Sequence, residues 1–184
     1  LNESKGYDIY KESVTKILDE FNDWKAYSIG DENRNKPIIL HKNHYDLGYL
    51  KHKEVLKFLD KSEIAVVPSR WEEPFGRTSL ESSSRGCATI ISKRGGLPET
   101  TDHRLLLNSL NGKELFKNIK MLILDLKLRK TLQINGFNNV KHITKENSKK
   151  IDKLRESLID SFKLNYSKNK LRIINIYNLG QKLN

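Results

Sequence analysis

The chain has 184 residues, material for about one ordinary domain, and its 36% hydrophobic content is enough for a core. No apolar run approaches the roughly 18 to 20 residues of a membrane-spanning helix, and the opening LNESKGYDIY lacks the regions of a signal peptide, which sets a soluble, cytoplasmic protein as the expectation. A single cysteine, Cys87, excludes an intrachain disulfide and a cysteine-based metal site, while a net charge of +11 points to anionic partners without choosing among nucleic acid, acidic membrane and phosphate-bearing small molecules.

Taken in order, Ile9 to Trp24 carries Val14, Ile17, Leu18 and Phe21 at helical spacing, with Lys5-Gly6 at the helix entry. Lys25 to Ile29 reads as a short strand closed by Gly30-Asp31. The stretch from Ile38 to Leu50 reads as one strand near Tyr45 to Tyr49 with an irregular approach, and His52 to Leu59 as a helix with Val55, Leu56 and Leu59 inward. Next comes an apolar run, Ile64 to Val67, stopped by Pro68 and followed by a Glu-Glu-Pro-Phe-Gly turn. A polar helix from about Arg77 ends at Gly86, and a second apolar run, Ala88 to Ile91, meets Gly95-Gly96.

Leu105 to Leu107 fits an edge strand, and Leu115, Ile119, Leu122 and Ile123 mark another amphipathic helix. Lys127 to Val140 is helical in pattern with a break expected at Gly136. A last helix from Lys145 to Phe162 carries Ile151, Leu154, Leu158, Ile159 and Phe162 on one stripe. A domain over 1–162 would then be followed by a polar linker, 163–170, and a tail, 171–184, opening on the β-type run LRIINIY. Residues 141 to 172 hold ten Lys or Arg against four acids, a run expected to be a solvated helix face.

Alternating strands and helices imply parallel strands joined by crossovers, an α/β fold with one open sheet of Rossmann type. Ligands of such sheets lie at the carboxyl ends of strands, where Pro68 to Gly76 and Lys93 to Gly96 fall. Glu73 and Glu81 stand eight positions apart across a turn, about 12 Å by helical rise alone. That spacing suits two holds on one elongated ligand better than a pair flanking a single bond. Amides of Phe75, Gly76 and the first helical turn are free to donate to ligand oxygens. Gly95 and Gly96 admit a close backbone, and Lys5 offers a point charge for a diphosphate, although its residue type alone fits a surface lysine equally well. The histidines at 41, 44, 52, 103 and 142 have no metal-site spacing, Cys87 suits a small core position, and Trp71 is expected to pack near the loop.

PSRWEEPFGRTSLESSSRGCATIISKRGGLPE resembles the Glu-x7-Glu signature and the following Gly-Gly-x-Pro-Glu loop of GT-B glycosyltransferases, the retaining group often called family 4. SKGYD and LGYLKHKEVLKFL fall where that family has its phosphate lysine and the loop near the nucleotide base. The resemblance covers about residues 1 to 162 and implies a Rossmann-like C-terminal half of a GT-B fold. It implies that Glu73 contacts the donor sugar, with Pro74 and the amides of Phe75 and Gly76 beside it, and serves as the catalytic residue. It further implies donor-binding places for Arg77, Thr78, Gly95 and Gly96, ribose hydroxyls at Glu81, and Lys5 on the diphosphate leaving group. No cofactor or metal is implied; the nucleotide-diphosphate sugar is the donor substrate.

The same resemblance implies an N-terminal acceptor-binding domain as partner, with a further basic residue upstream of Leu1. The expected activity is transfer of a sugar to a glycan or lipid-linked acceptor, incomplete without that domain, with at most peripheral contact at the inner face of a membrane and no nucleic acid. KLRIINIYNLG resembles the opening strand and glycine turn of another such enzyme, which raises the expectation of a tandem polypeptide. Two alternatives stand beside this: a non-catalytic module that binds a nucleotide sugar or a partner, and a nucleic-acid binder resting on charge alone.

Overall fold

The computed structural model describes residues 2–30 and 38–169; the tail from 171 lies outside them. The chain divides into two compact units, Leu1–Ile143 and Thr144–Asn184.

In the first unit, strands and helices alternate: α1 (Tyr7–Glu20), β1 (Ala26–Ser28), β2 (His44–Asp46), α2 (His52–Leu59), β3 (Ile64–Val67), α3 (Arg77–Ser84), β4 (Ala88–Ser92), β5 (Arg104–Leu107) and α4 (Gly112–Leu124). All three strand pairings are parallel, as the alternation requires. Order β3-β4-β5 puts β4 in the middle, and all five of its residues are buried, which explains its uninterrupted apolar and small-residue run. Two helices cover this sheet: Ile9 and Ile17 of α1 and Leu115, Ile119 and Leu122 of α4 form one core with Ala88, Ile90 and Leu107. Each such side chain removed from water contributes about 1.5 to 3 kcal/mol.

Helix α3 packs with a face of serines. Ser79, Ser82 and Ser83 are fully buried, and the Ser79 hydroxyl lies 2.8 Å from that of Thr100. Side chains this small let the helix approach the sheet closely, so a polar sequence serves as an inner face.

Several elements depart from expectation. Strand β2 sits earlier than Tyr45 to Tyr49 because Gly48, at φ 60°, turns the chain there and donates to Asp46 Oδ1. The single open sheet is divided: the described residues form a two-stranded sheet, β1-β2, and a three-stranded sheet, β3-β4-β5. The far edge of β1 is met by a side chain, with the Tyr10 hydroxyl donating to the Tyr27 carbonyl at 3.1 Å.

The break expected at Gly136 is absent, and one helix, α5 (Leu126–Asn169), replaces the two that were expected. Leu132 and Val140 are buried on either side of Gly136, and a Cβ on that glycine would come within 3.5 Å of the His103 carbonyl. That distance is ordinary van der Waals contact, so the site has room for a side chain, and burial of Leu132 and Val140 outweighs the glycine's propensity cost of about 1 kcal/mol. Ile143 closes the first unit, short of the expected boundary at 162, and the helix runs on to Asn169 across the described part of the expected linker, where no glycine or proline stops it. In the second unit Ile151, Leu154, Leu158 and Ile159 are 49 to 60% exposed.

Candidate functional site

The site is assembled where the N-terminal turn meets the loop after β3. A single 3-10 turn, Glu3–Lys5, is capped by Asn2, whose Oδ1 accepts from the Lys5 amide at 3.2 Å. Gly6 reverses the chain at φ 70°, and a Cβ there would lie 2.0 Å from the Pro68 carbonyl oxygen, so only glycine allows this approach. The Ser4 carbonyl accepts from the amides of Arg70 and Trp71. Arg70 reaches Asp8 with both guanidinium nitrogens, at 2.5 and 2.7 Å, which holds the Asp8 carboxyl below its ordinary range.

This docking delivers Lys5 to the loop. Its Nζ lies 2.6 Å from Glu73 Oε1, and the buried Ser69 hydroxyl donates to the same oxygen at 2.9 Å. Among the described residues nothing holds Glu73 Oε2, and the side chain is 16% exposed. Pro74 and Phe75 follow, and Gly76 at φ 84° opens α3 with no side-chain cap. Amides of Arg77 and Thr78, in the first turn of α3, have no partner within the helix and carry its positive end.

One turn further, Glu81 Oε1 is held at 3.0 Å by His52 Nε2 and at 3.3 Å by Arg77. Its Oε2 is free among the described residues. A capping exchange between Lys51 and Glu54 fixes the start of α2 and with it His52.

The glycine loop packs onto the same turn. Gly95 donates to Glu72 Oε2 at 2.6 Å, Arg94 to Glu72 Oε1 at 2.9 Å, and Gly96 to the Glu73 carbonyl at 2.7 Å. Arg94 and the Gly95 amide together keep the Glu72 carboxyl below its usual range. A Cβ on Gly95 would stand 2.2 Å from the Glu73 carbonyl oxygen. The backbone that this pair admits is the chain's own loop.

A cavity of about 560 Å³ opens here, lined by Lys5, by Glu73 through Thr78, and on its far wall by Tyr7, Ser28 and Val67. Seven of the ten residues singled out in the sequence line it; Glu81, Gly95 and Gly96 flank the same loop without lining it. Ser69, His52, Glu72 and Arg94 were missed as parts of the arrangement. The signal for His52 lay in its place in LGYLKHKEVLKFL, but its meeting with Glu81, 29 residues away, is visible only in three dimensions. Trp71 is 58% exposed and does not pack as expected; its amide donates to the Ser4 carbonyl and the Ser69 hydroxyl. Cys87 is buried as expected, and burial pushes its thiol up to about 12. The arrangement presents an ammonium and two helix-end amides to an anion, with a carboxylate on either side of those amides in the chain.

Residues 1–139 match the family described as glycosyl transferases group 1. A glycogen synthase of Mycobacterium tuberculosis is 42% identical over 53 residues, which are 29% of this chain and 13% of that protein. The C-terminal domain of a glycosyl transferase group 1 family protein, LpcC, from Francisella tularensis superposes with a TM-score of 0.70 at 25% identity, covering 77% of this chain and 80% of that one. Anabaena HepE in complex with UDP superposes with a TM-score of 0.68 at 18% identity, covering 83% of this chain and 46% of that one. The chain thus corresponds to a C-terminal-like half of a GT-B fold and spans a small part of the curated relatives it matches.

Proposed function

The chain belongs to the glycosyl transferases group 1 family, and from that premise we propose that it is the donor-binding half of a retaining glycosyltransferase. It holds a nucleotide-diphosphate sugar in the cytoplasm for transfer to a glycan or lipid-linked acceptor. The acceptor domain comes from polypeptide outside this sequence, and without it the half binds donor but does not transfer.

The observation that carries the reading is Lys5 Nζ at 2.6 Å from Glu73 Oε1, at the mouth of a cavity edged by the free amides of α3. A diphosphate suits this place: its oxygens take the amides and the Lys5 ammonium, and the charge that develops on the leaving group as the glycosidic bond breaks is met by both. Glu73 Oε2 is left for hydroxyls of the sugar. Glu81, held by His52 and Arg77 through Oε1, offers Oε2 to the ribose hydroxyls. Ser69 and Lys5 fix the Glu73 carboxylate, and Glu72 ties the glycine loop to the backbone that carries it.

Calorimetric titration with UDP and GDP at two salt concentrations tests this. Saturable binding is expected, weakened about tenfold or more in Glu81→Ala, as for a lost charged hydrogen bond. Lys5→Ala should weaken the diphosphates and leave the bare nucleosides unaffected. Absence of saturable binding, or tighter and steeply salt-dependent binding to random oligonucleotide, would overturn the reading.

A further inference from the structure

Helix α2 is tied to α3 at both of its ends. Where it begins, His52 Nε2 meets Glu81 Oε1 at 3.0 Å; just past its end, Asp60 accepts from Arg85, the residue after α3, at 3.3 Å. Cys87, just before β4, adds a further tie, its thiol donating to the Leu59 carbonyl at 3.4 Å. The start of α2 is also fixed without the His52 ring. The Lys51 amide donates to Glu54 Oε2 at 2.9 Å, and in the loop ahead of it the Gly30 amide donates to the Gly48 carbonyl at 2.7 Å. The backbone of His52 is therefore held by other groups, and its ring is spared for Glu81.

A carboxylate oxygen only accepts, so His52 carries a hydrogen on Nε2 and donates it. Two donors thus meet Glu81 Oε1, and they differ in what they fix. Arg77 stands one turn earlier on the same helix, 3.3 Å away, and its side chain is 75% exposed, so water competes for it. His52 reaches the same oxygen from a different helix, and the Glu81 side chain it holds is 23% exposed. A glutamate side chain turns about several torsions, and a second hold from outside its own helix is what confines it to one rotamer.

We propose that His52 is a positioning residue that sets the selectivity of the site for ribonucleotides. By holding Glu81 Oε1 it keeps Oε2 turned to the paired hydroxyls of a ribose, so that a nucleotide lacking them is rejected. This rests on the reading of Glu81 as the residue that takes the ribose hydroxyls, and His52 acts through that carboxylate rather than on the nucleotide. The selectivity follows from the hold. A carboxylate free to turn finds water whether or not hydroxyls are present, whereas one fixed against the ligand loses a partner when they are missing.

The test is calorimetric titration of the 184-residue chain with UDP and with 2′,3′-dideoxyuridine diphosphate, after a thermal melt has established that each variant folds. The unaltered chain should prefer UDP by about tenfold. His52→Ala should weaken UDP about fivefold and leave the dideoxy ligand within about twofold, and His52→Gln, which returns an N–H near the place of Nε2, should restore most of the preference. In a Glu81→Ala background, His52→Ala should have no further effect on UDP, because the two residues act as one unit. Equal weakening of both ligands by His52→Ala, an unchanged preference, no restoration by His52→Gln, or a full additional loss in Glu81→Ala would overturn the role of His52 and leave the reading of Glu81 standing. A chain that binds both ligands equally, or does not bind UDP, would overturn that reading and the proposal with it.

Discussion

Strand β4 has a neighbour on each edge and helices packed against its sheet, and all five of its residues are buried. Strand β1 has one neighbour, spans three residues, and presents Tyr27 at 40% exposure, stacked on an equally exposed Tyr45 of β2. Among the described residues the larger sheet has a strand paired on both sides, and the smaller has none. The difference teaches where rigidity is invested: the loops that carry Glu73 and the glycine pair follow β3 and the fully buried β4, so the candidate site has a firm floor. Ser28, at the end of the smaller sheet's β1, lines the same cavity.

Stability measurements can break or sharpen this contrast, and the largest effect belongs to β4. Ile90→Ala should cost about 4 kcal/mol in a urea melt, the usual range for a fully buried aliphatic side chain. Next, Gly95→Val places a branched Cβ against the Glu73 backbone at a left-handed φ of 52°. About 3 kcal/mol is expected, a fall of roughly 10 °C in melting temperature, together with loss of UDP binding. Tyr45→Ala, by contrast, removes one stacked ring from the smaller sheet and should cost about 1 kcal/mol. If Tyr45→Ala cost as much as Ile90→Ala, the two sheets would be equally integral and the contrast would fail.

How much of this was readable beforehand follows the same division. Strands β3 and β4 and the loop between them declared themselves through short apolar runs bounded by Pro68, Gly86 and Gly95, because β4 is buried throughout and β3 is half-buried along its whole length, which leaves little freedom of composition. Helix α2 runs from His52 to Leu59 as its spacing indicated, with Val55, Leu56 and Leu59 half-buried. Strand β2 was misplaced, since an exposed three-residue strand has no periodicity to read and its end is set by an Asp46–Gly48 turn. Gly136 reads as a break because glycine weakens a helix, whereas here burial of Leu132 and Val140 on either side carries the helix through it. The Glu81–His52 and Lys5–Glu73 contacts join residues 29 and 68 positions apart, which no local pattern encodes.

The smallest expected effect lies in the acid limb. Bonding to Arg70 lowers the Asp8 pKa below 3.8, so the pair's contribution is complete above that value and is lost as pH falls through the folded-state pKa. Both side chains are more than a third exposed, which limits the effect to less than about 1 kcal/mol. Asp8→Asn should therefore lower stability at neutral pH by that small amount and flatten the loss in acid, as read from urea midpoints across the range. An unchanged acid limb would mean that the N-terminal turn is held to the loop by its backbone bonds alone.

The central claim is that the start of α3 receives the diphosphate of a nucleotide beside Lys5 and Glu73. Titration of UDP into the isotopically labelled chain, followed through the backbone amides, tests it most directly. The largest shifts are predicted at Gly76, Arg77 and Thr78, saturating together and diminished in Lys5→Ala. Shifts that saturate elsewhere, or that leave these three amides unmoved, would contradict it.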